Sequence, residues 1–119
     1  MNYSIIYYEK EDGDCPVREF IQQFDPLKER LIIYARLALL EEHGPQLKRP
    51  YADFLRDKIY ELRFKISNKQ VRILYFFAHG KTIILSNAFI KKTTKVPENE
   101  IERAIRYRHD YFMKHGEKP

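Results

Sequence analysis

Between Ile59 and Ile90 three apolar runs follow one another with almost no chain between them, and this spacing constrains the fold more than any other feature. The runs lie near residues 59–66, 70–78 and 82–90, and only Ser67-Asn68-Lys69-Gln70 and His79-Gly80 separate them. Their β-branched and aromatic content marks them as strands. Connections this short cannot carry a parallel crossover, so the three strands are expected to form an antiparallel meander. In the first run the period of two puts Tyr60, Leu62, Phe64 and Ile66 on one face and Glu61, Arg63 and Lys65 on the other. In the second it puts Val71, Ile73, Tyr75 and Phe77 on one face and Arg72, Leu74 and Phe76 on the other. A two- or four-residue loop is expected to pair Phe64 with Ile73 and Lys65 with Arg72. A three-residue loop would mix the faces, and a one-residue slip is disfavoured once one face is buried.

That register has an electrostatic consequence. Arg63, Lys65 and Arg72 come side by side, and like charges on one sheet face repel unless an anion lies over them. A third strand end, Phe89-Ile90-Lys91-Lys92-Thr93, brings a basic pair towards the same region. Such a cluster suits a phosphodiester backbone, because the planar guanidinium donates to phosphate in pairs. The alternative is internal pairing of Arg63 and Arg72 with Glu61 or another carboxylate. Lys91 and Lys92 read equally as a solvated strand end. Phe89 reads as a base-stacking residue or as core, and Glu61 as the nearest carboxylate base or as a salt-bridge partner.

The rest of the chain surrounds this sheet. Asn2 to Tyr8 reads as a first strand and Glu9 to Asp14 as an acidic turn. A helix starts near Asp14 to Pro16, with Val17, Phe20, Ile21 and Phe24 at helical spacing. Asp25-Pro26 restarts the signal for a longer helix, with Leu27, Leu31, Tyr34, Ala38 and Leu39 expected to face inward, until Gly44-Pro45 stops it. Residues 45–58 read as a polar connection carrying Lys48-Arg49-Pro50. Pro97, followed by Glu98 and Glu100, opens a last helix running to about His115, with Ile101, Ala104, Ile105 and Phe112 as its apolar stripe. The order is β-α-α-β-β-β-α: an α+β domain with an antiparallel sheet, a helical hairpin and a C-terminal helix.

Length and charge narrow the function. The 119 residues, 44% of them hydrophobic, suit one domain with a real core. No segment is apolar enough to cross a membrane, Met1 to Ile6 lacks the build of a signal peptide, and one cysteine, Cys15, fits a reducing cytoplasm. The net charge of +5 is unevenly spread. Residues 1–46 carry 5 basic and 9 acidic side chains, residues 47–81 carry 9 and 3, and residues 82–119 carry 8 and 5. The positive field therefore belongs to the sheet and the last helix, which favours a polyanionic partner there. No histidine pair has metal-ligand spacing, and no Gly-rich loop precedes a helix, so nothing points to a metal or nucleotide cofactor.

The element order together with Ile59-Tyr60-Glu61-Leu62-Arg63, Val71-Arg72-Ile73-Leu74-Tyr75, Asn87-Ala88-Phe89-Ile90-Lys91-Lys92-Thr93 and Pro97-Glu98-Asn99-Glu100-Ile101-Glu102-Arg103-Ala104 resembles the HigB-like, phage-derived branch of the RelE/ParE toxin superfamily. The resemblance covers nearly the whole chain. It implies a RelE fold, the toxin half of a type II toxin–antitoxin pair, and a cognate helix-turn-helix (HigA-like) antitoxin. It further implies ribosome-dependent, metal-independent cleavage of messenger RNA. By the same resemblance Arg72 takes the scissile phosphate and Lys91 or Lys92 neutralises the phosphate or the leaving oxygen; Arg63, from its place beside Arg72, is expected to share the phosphate. Lys65, Lys95, Lys48, Arg49 and Phe89 are the accompanying RNA-binding candidates. Some relatives place a tyrosine or histidine base near the start of the last helix. Here that stretch is Thr94-Lys95-Val96-Pro97-Glu98, which leaves Glu61 as the nearest candidate. The ParE branch poisons gyrase instead, so a non-enzymatic toxin or nucleic-acid-binding module is the competing expectation.

Overall fold

A computed structural model describes residues 2–117. The elements are β1 (Ser4–Tyr7), α1 (Pro16–Gln22), α2 (Leu27–His43), a 3-10 turn (Gly44–Gln46), β2 (Ala52–Arg56), β3 (Ile59–Ile66), β4 (Lys69–Ala78), β5 (Thr82–Lys91) and α3 (Glu98–His115). They form an α+β fold around one five-stranded sheet of order β1-β5-β4-β3-β2, consistent with the RelE-like arrangement. The meander β3-β4-β5 is antiparallel, as its short connections require. β1 returns to pair parallel with β5, so the sheet as a whole is mixed.

The strand β2 lies inside the stretch 45–58 that reads as a polar connection. Its five residues, Ala-Asp-Phe-Leu-Arg, follow Pro50 closely and are too short and mixed to stand out. It survives as an edge strand by pairing with β3, with Ala52 opposite Leu62 and Asp53 opposite Glu61. The turn to β3 holds Asp57 and Lys58 both at positive φ, as in a type I′ hairpin, but without the glycine that advertises one.

The β3–β4 register differs from the expected one by two residues. Ile66 pairs with Lys69 across the two-residue turn Ser67-Asn68, so Arg63 faces Arg72, Phe64 faces Val71, Leu62 faces Ile73 and Lys65 faces Gln70. The predicted partners Phe64–Ile73 and Lys65–Arg72 are therefore wrong, although each residue keeps its face. Burial fixes the parity of a register, whereas the turn fixes its length. Here Ser67 takes positive φ, which closes the turn two residues earlier.

Both sheet faces are covered. Val17, Phe20, Ile21 and Phe24 of the first helical segment and Ile33, Leu37 and Leu40 of α2 pack on Leu62, Phe64, Val71, Ile73 and Tyr75. On the other face Ala104, Tyr111 and Phe112 of α3 pack on Ile59, Leu74, Phe76 and Ile84. The inward face of α2 is thus Ile33, Leu37 and Leu40. Leu27, Leu31, Tyr34 and Ala38, expected inside, are exposed. α2 is apolar nearly all round, so its periodicity admits more than one phase.

Candidate functional site

α3 covers only part of its sheet face. Beyond it, at the end where β3 and β5 finish and β4 begins, one row across the sheet reads Arg63, Arg72, Phe89 and the next Lys65, Gln70, Lys91. On the inner side the row is Asp53, Glu61, Leu74, Asn87. Strand alternation sets all these side chains on one face. Three strands thus bring four cations together, as the sequence suggests.

The centre of this patch is a buried carboxylate. Glu61 and Arg72 are each only 4% exposed. Arg72 Nε lies 3.2 Å from Glu61 Oε1, and Arg63 Nε lies 3.6 Å from Glu61 Oε2. Arg72 also donates from Nη1 to the carbonyl of Val71 at 2.9 Å. Glu61 therefore lies between two arginines that would otherwise repel across the β3–β4 ladder. Internal pairing, the alternative reading of the two arginines, is present. It is also incomplete. Glu61 Oε1, Arg63 Nε and Arg72 Nε are buried and make no hydrogen bond among the described residues, because the close approaches miss hydrogen-bond alignment. Buried polar groups with bonding capacity left over are rare and accumulate at functional sites.

Burial also tunes the groups. It raises the Glu61 carboxyl above its ordinary value; Arg72, Arg63 and Lys91 oppose that rise, and Asp53 reinforces it. Arg72 is lowered from the usual guanidinium value by burial, against the attraction of Glu61. Asp53 is held low by its hydrogen bond from Arg49, whose Nη2 stands 2.8 Å away. A carboxylate whose pKa is raised by burial is a better proton acceptor than an ordinary one, and cations beside it can hold an anion.

Residues 19–109, which include every residue of this cluster, match the family model described as phage-derived protein Gp49-like (DUF891). The chain belongs to the Gp49-like family. That family is associated with toxin-like proteins of the RelE type. Among curated proteins none matches.

The Gp49-like chain separates the other candidates by distance from the cluster. Phe89 faces Arg72 across the ladder and also packs on the α3-side core. Lys65 is exposed in the outer row, and Lys91 is partly exposed beside it. Arg49 is tied to the rim through Asp53, while Lys48 is exposed in the preceding loop. Lys92 stands one residue past the strand, and Lys95 lies in the loop to α3; both are exposed, outside the inner rows. Farther along α3, Tyr107 stacks on Tyr8 with ring centroids 4.6 Å apart, and Tyr111 is buried against Phe76 and Phe112.

Two neighbours were not legible beforehand. Asp53 belongs to the strand that the sequence hides. Asn87 is buried and donates to the Glu100 carbonyl at 3.2 Å and side chain at 3.0 Å, fixing the start of α3 beside the cluster. A polar Ser86-Asn87 pair inside an apolar strand is the signal that could have found it. Among the described residues no three His, Cys, Asp or Glu side chains group closely enough to hold a metal ion, and no helix is long and apolar enough to cross a membrane.

Proposed function

We propose that this Gp49-like chain is the toxin of a type II toxin–antitoxin pair and cleaves messenger RNA on the ribosome without a metal. One observation carries the reading: a buried carboxylate, Glu61, raised in pKa and ringed by Arg72, Arg63 and Lys91 at the open end of the sheet. Glu61 serves as general base. It takes the proton of a 2′-hydroxyl, the O2′–P bond forms, the P–O5′ bond breaks, and the leaving 5′-oxygen takes a proton from a water molecule. The products are a 2′,3′-cyclic phosphate and a 5′-hydroxyl. Arg63, with its side chain 21% exposed, reaches the phosphate, and Lys91 neutralises charge there or on the leaving oxygen. Arg72 is as buried as Glu61 and is committed to that carboxylate and to the Val71 carbonyl. It acts as a positioning residue that holds Glu61 and biases its ionisation. Lys65, Arg49, Lys48, Lys92 and Lys95 form the outer electrostatic footprint for RNA.

A cognate helix-turn-helix antitoxin, whose acidic segment would cover the basic face, completes the proposal. The test is induction of the chain alone in cells, with messenger RNA 5′ ends mapped and co-expression of the neighbouring small gene product as rescue. Growth arrest with new 5′-hydroxyl ends inside coding sequences supports the reading. Arrest with intact messages and inhibited gyrase favours the alternative, in which the Glu61–Arg72 pair is purely structural and the toxin acts by binding. The near-complete burial of that pair is the observation favouring this second reading.

A further inference from the structure

α2 carries two apolar faces, and only one has a partner within the fold. Leu27, Leu31, Tyr34, Ala35 and Ala38 recur at i, i+4, i+7, i+8 and i+11, the spacing of a single helical stripe. Leu27 is 57%, Leu31 56% and Tyr34 46% exposed. Ile33, Leu37 and Leu40 fill the core from the opposite side, so packing within the chain does not explain the second stripe. Large apolar side chains gathered on one exposed face mark an interaction surface.

The charges beside the stripe identify its occupant. The first turn of α2 carries Lys28 and the last carries Glu42, both exposed and on the same flank of the stripe. We propose that this face pairs with a second copy of the chain, α2 against α2 in antiparallel register about a two-fold axis near Ala35. A two-fold axis across the helices sets residues of the same flank together. Lys28 of each copy then meets Glu42 of the other, twice in one interface. A parallel arrangement, with its axis along the helices, would send the two copies of this flank to opposite sides and form neither pair. The small Ala35 and Ala38 let the helices approach at the crossing, and Leu31 packs beside the second copy's Leu39. The 17-residue helix is about 25 Å long, so two such faces bury on the order of 1,000 Å². That is the lower bound for a specific interface and fits a dimer of micromolar affinity. α2 lies on the sheet face opposite Glu61 and Arg63, so the dimer leaves the cluster open, and the proposal is independent of what the cluster does.

Sedimentation equilibrium of the full chain from about 1 to 200 μM tests it, a range that brackets a weak interface. The wild type should move from monomer to dimer across that range. Leu31→Glu should raise the dissociation constant at least about tenfold while leaving the melting curve in place, because the residue touches no core. Lys28→Glu should weaken the dimer, and Lys28→Glu combined with Glu42→Lys should restore it, since the swap rebuilds both pairs. A wild type that stays monomeric throughout overturns the proposal and gives the stripe to a different protein. A dimer indifferent to Leu31→Glu, or a charge swap that fails to rescue, overturns it equally.

Discussion

Arg72→Ala should be one of the most damaging single changes in this protein, and the damage should depend on pH. Judged from strand alternation alone, the residue looks dispensable or even repulsive, because Arg63 stands opposite. In the fold it is buried and holds a buried carboxylate at 3.2 Å. Removing one member of such a pair leaves an uncompensated charge and costs about 3–5 kcal/mol. That is a large part of the roughly 5–15 kcal/mol available to a domain, and corresponds to a melting temperature lower by roughly 10–20 °C. The sign with pH follows from Glu61. Its carboxyl is already raised in the folded state, and loss of Arg72 raises it further. The folded state then holds a proton that the unfolded chain releases near the ordinary glutamate value of about 4.3. Relative stability is therefore lost as pH rises from that value through the raised folded one, and the difference from wild type is smallest below it. Arg63→Ala, by contrast, removes a partly exposed partner at 3.6 Å and should cost about 1 kcal/mol or less. Urea melts of wild type, Arg72→Ala, Arg63→Ala and Glu61→Gln/Arg72→Met at several pH values between acid and neutral measure this directly. The double variant should recover most of the loss, since it removes both charges. If Arg72→Ala melts with the wild type at neutral pH, or loses the same stability at every pH, the buried-pair argument fails.

Core substitutions give a simpler contrast. Ile73→Ala and Phe64→Ala should each destabilise by about 2–5 kcal/mol, read from denaturant midpoints, because both lie in the α1–α2-side core. Leu37→Ala should cost a similar amount while Leu31→Ala stays within about 0.5 kcal/mol at concentrations where the chain is monomeric, which tests the phase of α2. Asp110 accepts a hydrogen bond from the Tyr8 hydroxyl at 2.5 Å and stands 2.9 Å from Lys114, contacts that hold its carboxyl below the usual range. A lowered folded value stabilises above the unfolded value and is lost as pH falls through the folded one, so Asp110→Asn should cost about 1 kcal/mol at most near neutrality and nothing in strong acid, as followed by thermal melts.

Strand alternation proved the dependable signal. It set the side chains of residues 60–66 and 71–77 on their correct faces and brought Arg63, Lys65 and Arg72 onto one of them. What it could not supply was length. Ser67 closes the turn through positive φ, a backbone choice that side-chain hydrophobicity does not encode, and the register moved by two residues. β2 stayed hidden because an edge strand of five residues is stabilised by its neighbour and not by its own pattern. With it went Asp53 and the anchoring of Arg49. α2 misled for the opposite reason: an apolar residue at nearly every turn position leaves the buried side undetermined, and the discarded face is now the candidate interface. At the site, the sequence named Glu61, Arg63 and Arg72, but it carried no information on depth. Which arginine is buried and which is partly exposed follows from how far α3 and the core extend over the sheet.

Single-turnover cleavage of a defined message on purified, programmed ribosomes tests the central claim most directly. Arg63→Ala should fold, bind ribosomes and cleave about 10²–10³-fold more slowly than wild type, the usual loss for one donor to developing oxyanion charge. Glu61→Gln, followed on the same ribosomes, should abolish the rise of wild-type rate with pH through the raised Glu61 value. The wild type should leave a 2′,3′-cyclic phosphate without added metal. Cleavage by Arg63→Ala at the wild-type rate, or no cleavage by wild type on any message, would contradict the assignment of this cluster to RNA chemistry.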